Sequence, residues 1–344
     1  MHATTIAVDL AKSVFQVSVA NQADRIVERK RLTRSQFHRY IAQQSPSLIV
    51  MEACATSHYW SQVAQQYGHT PKLLHPYYVR PYVRRNKTDA ADADALVRAS
   101  RDPELLPIPV KQPEQQALQG LHRIRQQLIQ SRTSRINLAR ALLAEFGISL
   151  KRGAGGISAR LQEQAEQLPI SLQASFSEVV IDINDLKPRI TLIDNRLEAI
   201  TANSEIAQRL LSIPGVGVIT ATALIASVPH IRMFKKARQF ASWLGVTPQE
   251  NSSGNTRRLG RISKQGNEYL RTLLVHGARS VMLQAHRRDT ARQPLTSMQR
   301  WIISLESVKK RNVVTVAVAN KLARTIWATW VFEKDYTPCI FRRT

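Results

Sequence analysis

Four carboxylates stand out, two at apolar strands and two by their spacing on a helix. Ile6-Ala7-Val8-Asp9-Leu10-Ala11 places Asp9 in mid-strand, and a carboxylate among apolar side chains is costly unless a cation or hydrogen-bond donors meet it. Glu52 follows directly on the apolar run SLIVM at 47–51. The stretch NKTDAADADAL then sets Asp89 and Asp92 three residues apart, one above the other on a helix face. Asp94 falls about 140° around that helix from Asp89, at about 100° per residue, and is left out of the set. Two strand carboxylates with two helix carboxylates make the arrangement that clamps two Mg²⁺ ions ~3.5–4 Å apart for phosphoryl transfer. Oxygen-only ligands favour Mg²⁺ or Mn²⁺ over Zn²⁺. Taken singly, Asp9 also reads as a strand-end turn residue and Glu52 as a surface charge. The Asp89 and Asp92 pair also reads as charge complementing a helix dipole.

Two polar stretches add cations. HPYYVRPYVRRNKTD interleaves Arg80, Arg84, Arg85 and Lys87 with Tyr77, Tyr78 and Tyr82 just before the acidic helix. Such cations neutralise phosphates, and aromatic faces stack bases; a solvated loop is the plainer reading. Further on, TPQENSSGNTRRLGRISKQGNEYLR sets Ser252 and Ser253 before Gly254, followed by Arg257, Arg258, Arg261 and Lys264. A serine ringed by guanidiniums has the surroundings of a nucleophile toward phosphate, although SSGN is also an ordinary turn.

The elements that must position these groups fall into three parts, 1–110, 111–207 and 208–344. In the first, Thr4–Ala11, Val14–Ala20 and Arg25–Leu32 read as strands, and Thr33 caps a helix through Phe37, Tyr40 and Ile41. A buried strand at Ser47–Met51, a helix at His58–Tyr67, a strand at Lys72–His75 and a helix at Asp89–Ser100 follow. That order predicts an α/β domain with a mixed sheet covered by helices. In the second part, Leu121, Ile124, Leu128, Ser131, Arg135, Leu138 and Leu142 keep heptad spacing. So do Phe176, Val179, Ile183, Leu186, Ile190, Ile193, Leu197 and Ile200. Two long helices in a coiled-coil hairpin or an intermolecular bundle are expected, or else two core helices of one globular domain. Glycines at 147, 153, 155 and 156 separate the helices, and Pro188 kinks the second. Each arm of ~30 residues would reach ~45 Å. The third part is mostly helical and opens with LLSIPGVGVITATALIASV, a helix-hairpin-helix pattern. There Gly215 and Gly217 let backbone N–H groups approach a phosphate irrespective of base sequence.

Composition agrees with a polyanionic partner. The 344 residues hold 49 Lys and Arg against 25 Asp and Glu, a net +24, and 43% are hydrophobic, enough for real cores. Residues 207–344 carry +17 of that charge, 23 basic against 6 acidic, which points to nucleic acid. No run of ~18 apolar residues suggests a membrane span. Asp9 comes too early for a secretory leader, and two cysteines make no disulfide framework or Cys-rich zinc site. A cytoplasmic protein is expected.

With VDLAK around Asp9, MEA around Glu52, NKTDAADA around Asp89 and Asp92, IPGVG at 213–217, and ARQFASWLGVTP followed by SSG and GRISKQGNEYLR, the chain resembles the insertion-sequence-110 family of transposases, bridge-RNA-guided recombinases. The likeness spans most of the chain. One departure is MEACA, in which Ala55 takes the place of a common glycine. The resemblance implies a RuvC-like (RNase H-type) domain whose metal tetrad becomes Asp9, Glu52, Asp89 and Asp92, a coiled coil, and a carboxy-terminal transposase domain. The essential serine of that domain falls on Ser253, directly before the glycine. The resemblance further implies Mg²⁺, target and donor double-stranded DNA, a structured guide (bridge) RNA in a bacterial nucleoid setting, and dimers assembling to a tetramer. In that assembly metal site and serine come from different protomers and a serine–DNA adduct forms. The expected function is an RNA-guided recombinase that excises and inserts its own element. A metal-dependent junction resolvase using water is the rival enzyme, and an architectural DNA- or RNA-binding protein is the non-enzymatic alternative.

Overall fold

A computed structural model of the chain describes residues 4–23, 25–83, 88–150 and 156–339. Its residues divide into two compact units, Met1–Pro113 and Glu114–Thr344. Among the described residues no helix is long and apolar enough to cross a membrane.

The first unit begins with an antiparallel meander of β1 (Thr5–Leu10), β2 (Val14–Ala20) and β3 (Ile26–Thr33). After α1 (Arg34–Gln43), β4 (Leu48–Glu52) pairs parallel to β1. After α2 (Ser57–Gln66), β5 (Thr70–Leu74) pairs parallel to β4. A short α3 (Pro76–Val79) and α4 (Asp89–Ala99) complete the unit. The five-stranded mixed sheet has the order β3-β2-β1-β4-β5. Thr33 caps α1 as expected: its hydroxyl accepts the Gln36 N–H at 3.3 Å, and the Gln36 side chain accepts the Thr33 N–H at 2.8 Å. The exposed edge strand β3 carries Glu28, Arg29, Lys30 and Arg31, charges that discourage pairing with another chain.

Side-chain alternation separates two cores. Ile6, Val8, Ile49 and Met51 face α1 and α2, where Phe15, Phe37 and Trp60 meet edge-on with centroids 5.1–5.3 Å apart. Ala7, Val50 and Leu74 face α4 through Ala95, Leu96 and Ala99. Both faces of β1 and β4 are covered, which explains their unbroken apolar sequence. Helix α4 runs antiparallel to β1. Just past its end, Arg101 donates to the Thr5 hydroxyl at 3.0 Å, and in its middle Asp94 accepts from Ser18, the partner of Ala7, at 2.7 Å.

The second unit opens with α5 (Pro113–Glu145), α6 (Ile157–Ala165) and α7 (Ile170–Ala202). Helices α5 and α7 have 33 residues each, about 50 Å at ~1.5 Å per residue. They lie antiparallel, tied by Arg125 to Asp194 and Arg135 to Asp182. The sequence-predicted seam holds for α7 at Phe176, Ile183, Leu186, Ile190, Ile193 and Leu197, which are buried, whereas Val180 and Thr201 are buried in place of the expected Val179 and Ile200. In α5 it holds only in part, with Leu121, Leu128 and Leu142 partly buried against the helical cores. Leu118, His122, Ala139 and Leu143 are buried there, and Ile124 and Leu138 are about half exposed. Helix α7 continues through Pro188 to Ala202.

The rest is mostly helical: α8 (Glu205–Leu211), α9 (Val218–Ser227), α10 (Ala237–Trp243), α11 (Glu268–Thr290), α12 (Ser297–Glu306) and α13 (Arg311–Phe332). Leu224, Phe240, Leu274, Val281, Val318 and Leu322 form the centre of their shared core. Among the described residues the helical pattern is interrupted by an antiparallel pair, β6 (Pro248–Glu250) and β7 (Leu259–Ile262), on either side of the SSGN turn. A buried polar chain joins α5 to this core. The Thr222 hydroxyl donates to the Val218 carbonyl at 2.6 Å and so accepts from His122 Nε2 at 3.1 Å; His122 Nδ1 then accepts from the Tyr269 hydroxyl at 3.0 Å. Burial, with Arg125 nearby, holds the His122 pKa down to about 4.

Candidate active site

Asp9 follows Ala7 by two residues on β1 and Glu52 follows Val50 by two on β4. With side chains alternating, both carboxylates belong to the sheet face covered by α4. The register pairs Val8 with Met51, so Asp9 and Glu52 lie at the same end of adjacent parallel strands. The direction of α4 brings its first turn to that end. From Asp94, level with Ala7, five residues back to Asp89 is ~7.5 Å of helix, close to the ~6.6 Å from Ala7 to Asp9 along the strand. Thr88 caps this turn, its hydroxyl accepting the Ala91 N–H at 3.2 Å. Asp92 is partly buried, and the side chain of Asp89 lies outside the described residues. Among the described residues no group of three or more His, Cys, Asp and Glu side chains stands close enough to hold a metal ion. The available donors are carboxylate oxygens alone, a set that suits a hard divalent cation.

Asp94 has a separate task. It takes the Arg29 guanidinium at 2.8 Å in addition to Ser18. Burial pushes its pKa upward, but the Arg29 and Ser18 hydrogen bonds outweigh burial and hold the carboxyl below the usual range. Of the basic stretch before α4, Arg80 is exposed, and Arg84, Arg85 and Lys87 lie outside the described residues. Tyr77 and Tyr78 are exposed with their rings edge-on at 5.3 Å. The Tyr82 hydroxyl is instead committed to the Asp102 carboxylate.

The two glycines of the α8–α9 turn differ. Gly215, at φ +85°, is packed against α11, and a Cβ there would meet the Gly277 carbonyl oxygen at 2.7 Å. Its small size serves helix packing. Gly217 precedes α9, is exposed, and has open space where a Cβ would be, leaving the first N–H groups of α9 approachable.

The serine loop sits at the tip of the β6–β7 hairpin. Ser253 and Thr256 exchange backbone hydrogen bonds of 3.3 and 3.1 Å across Gly254-Asn255, and Gly254 has φ +55°, a conformation that glycine adopts at no steric cost. The doublet is divided by its contacts. Ser252 Oγ donates to Glu250 at 2.9 Å and accepts the Arg258 N–H at 3.1 Å. Glu250, which the sequence reading did not single out, also pairs with Arg257 at 3.3 Å. The Ser252 hydrogen bond, with Arg257 and Arg238 adding, holds its carboxyl below the usual range. Ser253 is exposed, and among the described residues its hydroxyl makes no hydrogen bond. Arg257, Arg258, Arg261 and Lys264 are exposed around it. The overlooked signal was the Gly-Asn pair itself, which marks a two-residue hairpin turn; polar, exposed flanks hid the strands.

Residues 207–293 match the family model described as "Transposase IS116/IS110/IS902 family", and residues 6–148 match a transposase model of the DEDD, IS110 type. The chain is 40% identical over 343 residues to a probable family 20 transposase of Pseudomonas aeruginosa, covering 98% of this chain and 100% of that protein. It is 37% identical over 333 residues to a putative transposase, y4pF/y4sB, of Sinorhizobium fredii, covering 96% and 85%. With the transposase for insertion sequence element IS1111A of Coxiella burnetii it shares 34% over 335 residues, covering 96% and 90%.

Proposed function

This chain belongs to the IS116/IS110/IS902 family of transposases, and from that premise we propose that it cleaves and rejoins DNA strands with the Ser253 hydroxyl as nucleophile, so as to excise and insert an insertion sequence. The observation that carries the serine reading is the division within the doublet. Ser252 is tied into the loop, and Ser253 stands exposed and uncommitted among cations at the hairpin tip. In the reaction, Ser253 Oγ bonds to phosphorus as a P–O bond to a deoxyribose oxygen breaks, and the serine proton ends on the departing hydroxyl. One phosphodiester replaces another. A hydroxyl of the exchanged strand then attacks the serine ester, rejoining DNA and restoring Ser253. Arg257, Arg258 and Arg261 hold the phosphoryl oxygens. Asp9, Glu52, Asp89 and Asp92 would hold Mg²⁺ or Mn²⁺, and the bound cation supplies charge stabilisation at the transferring phosphoryl group.

The strand order β3-β2-β1-β4-β5, an antiparallel meander continued by parallel strands, supports the RuvC-like (RNase H-type) reading of the first unit. The α8–α9 turn with its exposed Gly217 supports a helix-hairpin-helix contact to DNA phosphate. Three functional segments are proposed, 1–110 for metal, 111–207 for the helical arm, and 208–344 for serine and DNA. Carboxylates and serine lie on different compact units, which supports a site completed by different protomers of a tetramer. The half-exposed Ile124, Leu138, Ile181 and Leu192 along the arm support self-association. The +17 of residues 207–344 supports a guide RNA beside the DNA.

The test incubates the full chain with DNA of its element ends, guide RNA and Mg²⁺, and reads protein–DNA adducts on a denaturing gel. Ser253→Ala should bind normally, form no adduct and recombine nothing. Ser252→Ala should still form the adduct, slowed about fivefold by the ~1 kcal/mol of a loosened loop. Cleavage that persists in Ser253→Ala without an adduct would replace the serine mechanism by water attack.

A further inference from the structure

Helix α13 buries one face and leaves the other on a groove, where apolar residues are interleaved with Asn320, Lys321 and Arg324. Val314, Val318, Leu322 and Ile326 fill the core. The opposite face, with Val313, Val316, Ala317 and Ala328, floors a groove of about 2080 Å³ that is walled on one side by the β6–β7 hairpin. That volume is at least twice what a small-molecule site uses. Val313, Phe332 and Leu259 stand in it 54, 63 and 50% exposed. Among the described residues six cations line it, Arg261, Lys264, Lys309, Lys321, Arg324 and Lys334, against one acid, Asp335. Lys321 lies over the Trp301 ring at 4.3 Å, so the cationic and aromatic groups are already interleaved. Burial and the adjacent Arg324 push the Lys321 pKa down, a crowding of positive charge that an anion would relieve.

We propose that this groove binds an unpaired segment of the DNA strand being cleaved, its bases on the apolar floor and its phosphates along the cationic lining. The charge excludes a neutral or basic occupant, a second copy of this strongly basic chain included. The apolar floor selects against paired DNA, whose base faces are stacked inside the duplex with only their edges open in the grooves; an unpaired strand has base faces to bury. Position selects the strand. Leu259 at the groove edge pairs with Glu250, three residues and at most ~10 Å of chain from Ser253. Nucleotides a few steps along the strand from a phosphate at Ser253 therefore reach the groove. The inference rests on the serine reading for the identity of the strand, not for binding itself.

The experiment measures equilibrium binding of the full chain, without cleavage, to a labelled single-stranded DNA, the same sequence as duplex, and the same sequence as single-stranded RNA. Ala317→Trp fills the floor at unchanged charge, and Val313→Glu places a carboxylate on it at an exposed position with little risk to folding. Circular dichroism checks that both fold. Single-stranded DNA affinity should fall at least tenfold in both variants, with duplex affinity within about twofold of the parent. Unchanged single-strand affinity in a folded Val313→Glu overturns the proposal. So does selective loss of RNA binding, which would assign the groove to RNA. A change in oligomeric state without loss of DNA binding would assign it to a second copy. Failure of the serine reading would appear in the adduct assay instead, leaving these affinities as they are.

Discussion

Single residues decide more here than their types suggest. Ser252 and Ser253 are chemically identical, yet one hydroxyl is saturated by Glu250 and Arg258 and the other faces solvent. Asp94 differs from Asp92 only in the direction that two steps of helix give it, and that direction delivers it to Ser18 and Arg29. His122 is held neutral between Thr222 and Tyr269 with its pKa down to about 4. In the other unit, burial and Lys111 hold His58 at about 4, its Nδ1 accepting the Lys111 N–H at 3.2 Å. Unfolded, each returns toward 6.5 and binds a proton that the folded form refuses. Between these values the unfolded chain binds more protons, so stability rises with pH. The stabilisation is present above about pH 6.5 and is lost as pH falls toward 4. For the well-buried His122 the whole interval is worth on the order of 3 kcal/mol. Urea unfolding of the parent and of His122→Gln at pH 7 and pH 5 checks this. The parent should lose much more stability than the variant over that range, and parallel losses would remove His122 from the account.

At the scale of elements, Gly277 in the middle of α11 breaks an ordinary expectation. Replacing a helix-interior glycine by alanine commonly gains about 0.5–1 kcal/mol. A Cβ at Gly277, however, would come to 2.2 Å from the Gly215 carbonyl oxygen, a backbone atom with little freedom to move. Overpacking of that kind costs roughly 1–3 kcal/mol, so Gly277→Ala should lower the melting temperature of the second unit; a higher one would mean that the α8–α9 turn and α11 part cheaply. Nothing in HGARS announces this contact, because it depends on a residue 62 positions away. The same limit explains which elements were legible. The strands β1, β2, β4 and β5 and the helices between them declared themselves through local alternation and apolar runs, and Thr33 through its capping partner Gln36. Asp9 and Glu52 stood out against their apolar neighbours, and Asp89 and Asp92 by standing three residues apart on a helix. The seam of α5 was misread in part because its buried stripe includes His122 and Ala139, residues that a count of large apolar side chains passes over. The β6–β7 hairpin escaped because β6 is wholly exposed and β7 nearly so.

Over the whole molecule, charge is unevenly spread along the chain: residues 1–206 carry +7 of the net +24 and residues 207–344 carry +17. A chain of this family acts on DNA, and its affinity for duplex should therefore be governed by released counterions, log K falling with log salt by about 0.9 for each phosphate neutralised. If six or more cations of the second unit reach phosphate, affinity should drop by roughly a thousandfold between 50 and 200 mM salt. The residues on the hairpin refine the expectation. Arg257 is already paired with Glu250, whereas among the described residues Arg258 has no acidic partner and is exposed. Arg258→Gln should flatten the slope by about 0.9, and Arg257→Gln by less, because Glu250 holds part of that charge in the free protein. Fluorescence anisotropy across a salt series measures both slopes. Equal, full reductions for the two arginines would mean that Glu250 releases Arg257 when DNA binds, and a salt-insensitive affinity would mean that the basic half of the molecule does not touch phosphate.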